Sequence, residues 1–156
     1  MALETRPMTD ADRLPVAQIY ADVASERNAI GAEPPVDVEA RAASWQLEGS
    51  FVALLDGRIV GSLSVQPVYY HGYGEIGMHV ERGARGQGVG SALMEAAIAW
   101  ARGEGLHKLS LSVWPHNDAA IALYRKFGFV EEGRRVKQYR RKSGELWDTI
   151  DMGLLL

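Results

Sequence analysis

Three glycines alternate along Arg85-Gly86-Gln87-Gly88-Val89-Gly90, with an apolar run before them and a helical stripe after them. The run Glu75 to Val80 reads as a strand. Val89, Leu93, Ala96 and Trp100 recur at helical spacing and predict a helix from about Val89 to Arg102. Leu109 to Val113 then alternates with serines as a second strand. A strand, a helix and a strand in this order imply a parallel pair with a right-handed crossover. Upstream, Phe51–Leu55 and Ile59–Val65 flank Asp56-Gly57, two residues that tolerate the positive φ of a tight hairpin. An antiparallel meander therefore feeds a parallel step, which predicts an α/β fold on a mixed sheet with helices on both faces.

The other segments fit that frame. Ala2 to Arg6 is a short strand stopped by Pro7. Thr9 and Asp12 form a capping-box-like start for a helix over residues 10–24, with Val16, Ile19, Tyr20 and Val23 on its apolar side. Residues 25–36, with Gly31, Pro34 and Pro35, read as a loop. Asp37 can cap a second helix over 38–48, closed by Gly49. Pro67 and Gly72 bound a loop holding Tyr69, Tyr70 and His71. Pro115 and Asn117 open a short helix with Ala120, Leu123, Tyr124 and Phe127 on one side. Two long strands surround Ser143-Gly144. A chain of 156 residues is expected to form one domain, residues 1–156.

Composition narrows the function. Apolar residues make up 47% and charged residues 24%, ordinary values for a globular chain. The formal charge of −3 is a poor basis for gripping phosphate backbones, so no nucleic-acid partner is expected. The absence of cysteine excludes disulfides, a cysteine nucleophile and thiolate metal sites. The start, MALETRPMTDAD, has no apolar stretch behind a basic head, so no signal peptide is expected. The apolar run Ala96–Ala101 has six residues where a membrane span needs about 20. The expectation is a cytoplasmic protein with no membrane partner and no metal.

The glycine turn carries the chemistry. Glycines let a backbone approach a bulky ligand closely, and the first turn of the following helix offers unpaired N–H groups and a positive dipole end. The ligand should be a phosphate or pyrophosphate. A Walker loop would need Gly-Lys-Ser/Thr, and no lysine follows. A dinucleotide fingerprint starting at Gly86 would need glycine at Ser91, and Lys108–Ser112 lacks the ribose-binding carboxylate.

Two motifs together resemble a known family. Arg85-Gly86-Gln87-Gly88-Val89-Gly90 resembles the Q/R-x-x-G-x-G/A pyrophosphate loop of the GCN5-related N-acetyltransferases (GNAT). Asn117-Asp118-Ala119-Ala120-Ile121-Ala122-Leu123-Tyr124-Arg125-Lys126-Phe127-Gly128-Phe129 resembles that family's N-x-x-A-x-x-L-Y-x-x-x-G-F motif. The order and spacing agree, and the likeness runs from Thr5-Arg6-Pro7 to the last strand. Gly144-Glu145-Leu146-Trp147-Asp148 and Asp151-Met152 resemble the phosphinothricin-type, small-molecule branch. The resemblance implies a GNAT fold, a splayed sheet of about seven strands. It also implies acetyl-CoA as donor, a primary amine as acceptor, direct transfer in a ternary complex and a possible homodimer.

The resemblance also implies roles for residues. Gly86, Gln87, Gly88, Val89, Gly90 and Ser91 would face the pyrophosphate, with Arg85 holding the loop or neutralising charge. Met78, His79 and Val80 would pair through their main chain with the pantetheine arm, and an N–H there would polarise the acetyl carbonyl. Asn117 would cap its helix and touch the cofactor arm. Tyr124 would protonate the leaving thiolate, and Glu75 would take a proton from the amine. By alternation Glu75, Gly77 and His79 share one strand face. Arg134, Arg135, Lys137, Arg140, Arg141 and Lys142 read as a solvated strand, with one or two side chains near the cofactor phosphates; a nucleic-acid patch is the rival reading. Trp45, Tyr69, Tyr70, His71 and Trp147 would flank the acceptor. A protein N-terminus or lysine as acceptor, or an acyl-CoA sensor without turnover, are the alternative functions.

Overall fold

The computed structural model describes residues 2–156. Seven strands, β1 (Leu3–Pro7), β2 (Ser50–Leu55), β3 (Arg58–Val68), β4 (Tyr73–Val80), β5 (Lys108–Val113), β6 (Val130–Arg140) and β7 (Leu146–Leu155), form one sheet in the order β1-β2-β3-β4-β5-β7-β6. Four helices connect them: α1 (Arg13–Ala24), α2 (Val38–Ser44), α3 (Val89–Gly103) and α4 (Asp118–Lys126). The expected order of elements holds, and β4–β5 is the parallel pair in an otherwise antiparallel sheet. The Asp56-Gly57 turn has φ of 49° and 81°, the double positive φ that a two-residue hairpin requires.

The two sheet faces carry different packing. Leu109, Leu111, Val113, Met152 and Phe129 join Leu93, Met94 and Ala97 of α3 and Tyr124 of α4 in the larger core. Trp45, Val52, Leu54 and Val16 form a smaller core under α1 and α2. Arg6 of β1 donates to the Asp12 carboxylate at 2.6 and 3.0 Å. Asp12 also accepts from the Thr9 N–H at 2.8 Å, so the expected capping motif becomes the clip between β1 and α1. That guanidinium, more than anything else, holds the Asp12 carboxyl down at about 2.

Several boundaries differ from expectation. The second helix ends at Ser44 rather than 48, because Trp45 turns to an extended ψ of 125° and drives its ring into the smaller core. Gly49 does not close that helix. It has φ +77°, and a Cβ there would lie 2.7 Å from the Val65 carbonyl. Strand β3 runs through Pro67 to Val68 instead of stopping at Val65. Pro67 is tolerated because the Val65 N–H already points away from β4, to Gly49, so Pro67's nitrogen faces the side where β2 has ended. On α3 the buried positions are Val89, Leu93, Met94, Ala97 and Ala101, while Ala96 and Trp100 are half-buried at the rim.

The loop over 25–37 packs against the residues that follow β5 and the β6–β7 turn, and is strapped down by Arg141. That side chain is 6% exposed, stacks on Trp114 and Trp147 at 4.9 and 4.5 Å, and donates to the carbonyls of Gly31 and Arg27. Trp114 Nε1 donates to the Ile30 carbonyl at 3.3 Å. Arg134 pairs with Asp148 and Arg135 with Asp151, and Lys142 donates to the Pro34 carbonyl. Arg134, Arg135, Lys137, Arg140 and Lys142 are exposed, as the expected solvated strand requires, and Arg141 alone of the run is buried as an internal strap.

His79 sits in the smaller core with Tyr20 and Trp45 edge-on at 5.5 and 5.6 Å. Burial lowers its pKa from 6.5 to about 4. A group whose folded pKa is depressed stabilises the fold above its unfolded pKa and ceases to as pH falls through the folded one. The window is therefore pH 6.5 to 4, and the loss amounts to about 3 kcal/mol at ~1.4 kcal/mol per pKa unit. His79→Phe keeps an aromatic ring but cannot titrate. Urea unfolding at pH 7, 5.5 and 4 should show a steep stability loss for the parent and a shallower one for His79→Phe.

Candidate active site

The site begins where two strands part. Strands β4 and β5 pair only at Tyr73↔Lys108, Gly74↔Leu109 and Glu75↔Ser110. Residues 76–80 of β4 continue without a partner on that side. The Glu81 N–H donates to the Val60 carbonyl at 2.7 Å, which fixes the antiparallel alternation. His79 and Gly77 therefore exchange main-chain bonds with Ser62 and Ser64 of β3, while Met78 and Val80 turn their N–H and C=O groups towards the gap. Of the expected trio, His79 does not present its main chain to the gap, and its ring lies in the smaller core.

At the mouth of the gap stands the N-terminus of α3. Gly86 and Gly88 have φ of +76° and +84°. These conformations alternate with ordinary ones and turn successive N–H groups into a concavity suited to anions. A Cβ on Gly86 would meet nothing within 4 Å, and one on Gly88 only Leu3 at 3.9 Å. The space over both glycines is open, as a pyrophosphate would require. Gly90 differs: a Cβ there would lie 2.8 Å from Leu123 Cδ2, so its smallness lets α3 and α4 approach. The first helical bond runs from the Ala92 N–H to the Gly88 carbonyl, which leaves the N–H groups of Val89, Gly90 and Ser91 without helical partners.

Arg85 is fully committed to holding the loop. Both terminal nitrogens donate to Glu26 at 2.7 Å, and Nε donates to the Val80 carbonyl at 3.0 Å. The same bonds keep the Glu26 carboxyl below its usual pKa. Gln87 folds back on the Gly83 carbonyl at 3.3 Å. The cation beside the anion site is instead Lys126, whose Nζ donates to Ser91 Oγ at 3.1 Å. Sequence reasoning passed over Lys126, although it stands among the three unspecified residues of the second motif, where the last turn of α4 meets α3. It also passed over Glu26, which no local pattern connects to a loop 59 residues away. A concavity of about 640 Å³ lies beside this loop, lined by Asp22, Glu26, Glu81 and Arg82. Three carboxylates make it a poor host for phosphate.

Asn117 caps α4 by accepting from the Ala120 N–H at 3.3 Å. Tyr124 is the buried residue of α4, tilted against Phe129 at 5.8 Å. Burial raises its phenol from 10 to about 12, so it is fully protonated at neutral pH. It belongs to the larger core with Met78 and Ile76. Glu75 is exposed on the other face, in line with Gly77 and His79 as alternation expected. The structure thus sets Tyr124 and Glu75 on opposite faces of the sheet, on either side of one gap. Trp45 and Trp147 prove to be packing residues, and Tyr70 is 91% exposed. No group of three or more His, Asp or Glu suited to a metal occurs among the described residues. No described helix is long and apolar enough to cross a membrane.

Comparison with known proteins agrees with this geometry. A family described as "Acetyltransferase (GNAT) family" matches residues 16–129. The L-methionine sulfoximine/L-methionine sulfone acetyltransferase of Pseudomonas aeruginosa is 29% identical over 166 aligned positions, covering 100% of this chain and 96% of the relative. The L-amino acid N-acetyltransferase of Escherichia coli is 34% identical over 109 positions, 65% of this chain and 64% of the relative. Among solved structures, the ribosomal-protein-alanine N-acetyltransferase of Brucella melitensis superposes with a TM-score of 0.87 at 31% identity, covering 98% of this chain and 99% of that one.

The glycine geometry yields a direct test. Valine at Gly88 would strain a backbone at φ +84° whether or not a ligand binds there. Asparagine tolerates that region. Gly86→Asn and Gly88→Asn should therefore fold, with melting temperatures close to the parent, yet lose CoA affinity by roughly tenfold or more. Calorimetric titration with CoA, beside thermal melts, separates ligand contact from folding.

Proposed function

The chain belongs to the acetyltransferase (GNAT) family and is an acetyl-CoA-dependent N-acetyltransferase; we propose that its acceptor is the primary amine of a small, amino-acid-like molecule, acetylated by direct attack in a ternary complex. The observation that carries this reading is the parting of β4 from β5 after Glu75, with the α3 N-terminus at its mouth. The N–H and C=O groups of Met78 and the N–H of Val80 suit an amide-bearing arm lying as an extra strand, the Val80 carbonyl being taken by Arg85. The Gly86–Ser91 turn, with Lys126 beside it, suits the pyrophosphate. Asn117 lies at the start of α4, where its amide can serve both cap and arm.

The chemistry divides between the two faces. Glu75, open to solvent, takes the proton of the incoming ammonium directly or through water. An N–H at the Met78–Val80 bend polarises the acetyl carbonyl. Tyr124 faces the departing sulfur from the other side. With its phenol near 12 and a thiol near 8.5, handing the proton over outright is uphill, by about 1.4 kcal/mol for each pKa unit. Tyr124 therefore acts first as a hydrogen-bond donor to the growing thiolate charge and releases its proton late. Small-molecule specificity draws support from the amino-acid-directed relatives in Pseudomonas aeruginosa and Escherichia coli. The Brucella melitensis structure favours a protein N-terminus as the second reading. Free amino acids and N-terminal peptides, compared as acceptors by thiol release, decide between them. The reading includes one domain over residues 1–156, a cytoplasmic location, where acetyl-CoA meets a cysteine-free chain, and a homodimer measurable by light scattering.

Loss of each proton carrier should look different. Tyr124→Phe keeps the ring packed against Phe129 and should lower kcat by about 10²–10⁴ with CoA affinity unchanged. No alkaline limb from this phenol should appear in the parent below pH about 12. Glu75→Gln should lose most activity below the amine's pKa and recover partly as pH rises, a rescue that Tyr124→Phe cannot show. A pH-independent loss in Glu75→Gln would remove it from the proton path.

A further inference from the structure

The face that carries Glu75 carries a second polar group, used nowhere in the reading above. Glu75 of β4 pairs with Ser110 of β5, and Ser112 of β5 pairs with Asp151 of β7. Leu109, Leu111, Val113, Ile150 and Met152 all point into the larger core. By the two-residue period of strands, Ser110, Ser112, Thr149 and Asp151 must then lie on the opposite face, the one Glu75 occupies. Helix α1 packs on β3 and β4 on that face, and Glu75, Gly77 and Ser112 remain exposed along one shelf.

Arg135 reaches over this shelf from edge strand β6. Its Nε donates to Asp151 Oδ2 at 2.9 Å, and Ser112 donates to Asp151 Oδ1 at 2.8 Å. Asp151 is thus fixed from both sides and orients the guanidinium through one nitrogen only. Both terminal nitrogens of Arg135 have no partner among the described residues. Other arginines are spent differently: Arg85 and Arg6 use their terminal nitrogens on carboxylates, and Arg141 uses its own on main-chain carbonyls. Arg134 pairs with Asp148, which shares the strand parity of Ile150 and so belongs to the other face. A free guanidinium fork presents paired N–H donors that match a carboxylate.

We propose that Arg135, held by Asp151 and Ser112, clamps the carboxylate of the acceptor, and that acceptors are α-amino acids or close analogues with a carboxylate one carbon from the amine. The proposal rests on the acetyl-transfer reading given above. The carboxylate on the Arg135 fork would direct the neighbouring ammonium along the shelf towards Glu75 and the gap beside Gly77. The charges match a zwitterion: a cation at one end, a carboxylate at the other. Arg135 is held protonated chiefly by Asp151, and Glu75 adds to the effect, so the two ends of the shelf are in electrostatic reach. Arg135 is a specificity residue here, distinct from the proton carriers.

The test compares free L-amino acids with their carboxamides, which keep the side chain and lose the negative charge, with rates referred to the unprotonated amine because the carboxamide also makes the ammonium more acidic. Thiol release by the whole protein should favour the acids by roughly 10–100-fold in kcat/KM, carried by KM, the scale of a charge-assisted contact. In Arg135→Met the preference should collapse towards one while acetyl-CoA affinity, read by calorimetry, stays unchanged. Arg135→Lys, which keeps charge without the fork, should recover part of it. Arg134→Met, on the opposite face, should retain the full preference. Equal turnover of acids and amides by the parent, or an undiminished preference in folded Arg135→Met, overturns the clamp. Absence of thiol release with every amine, carboxylated or not, defeats the acetyl-transfer reading itself.

Discussion

A strand that loses its neighbour halfway leaves main-chain donors and acceptors that something must satisfy. Past Glu75, the β5 side of β4 is such an edge, and it lies inside the sheet rather than at its margin. Water can fill it, but a linear ligand made of amides fills it better, since each amide supplies one donor and one acceptor at strand spacing. Much of the site follows from this opening. The Arg85–Glu26 pair ties the end of β4 to the loop and the loop to the end of α1, so the opening keeps its shape without a ligand. Gly90 allows α4 to press against α3, which brings Tyr124 beneath the gap and Lys126 to its mouth.

How much of this could be read beforehand depended on the range of the forces involved. Local patterns were legible: the hairpin at Asp56-Gly57, the cap at Asn117, the glycine turn and the order of eleven elements. Failures came where a distant contact overrode a local signal. Trp45 leaves its helix because Tyr20 and His79 offer it a buried slot. Pro67 stays in a strand because β2 has already ended on the side its nitrogen faces. Within the solvated basic run from Arg134 to Lys142, Arg141 does not stand out as the buried strap, since nothing in the run's own composition reveals the carbonyls of Gly31 and Arg27 as its partners.

The site residues divide in the same way. Glycines with positive φ act through their own backbone and a capping asparagine through a side chain that reaches only three residues on, so motif spacing finds them. Which of Met78, His79 and Val80 faces the gap is a matter of pairing register, fixed by the Glu81 bond to Val60 on another strand. Whether Arg85 touches phosphate or braces the loop depends on Glu26, far away in the chain. A motif records that a residue is needed at a place; the partner that consumes its hydrogen bonds decides what it does there.

In the proposed reaction the two faces of the sheet divide the two proton transfers. An acceptor amine arrives as a cation and must lose a proton in water, so a base suits the wet face, where Glu75, the proposed base, stands exposed. In the proposed reaction the leaving thiolate draws its hydrogen bond from a group that stays protonated in the resting enzyme, so that donor suits the dry core. There burial alone holds the Tyr124 phenol near 12. Exchanging the two environments would defeat both: a buried carboxylate would be driven to its neutral form and could accept no proton, and an exposed phenol would spend its hydrogen bond on water. The parted strands are what allow one bond-making step to draw on both environments at once, because the gap is the one place where a ligand between β4 and β5 meets both faces of the sheet.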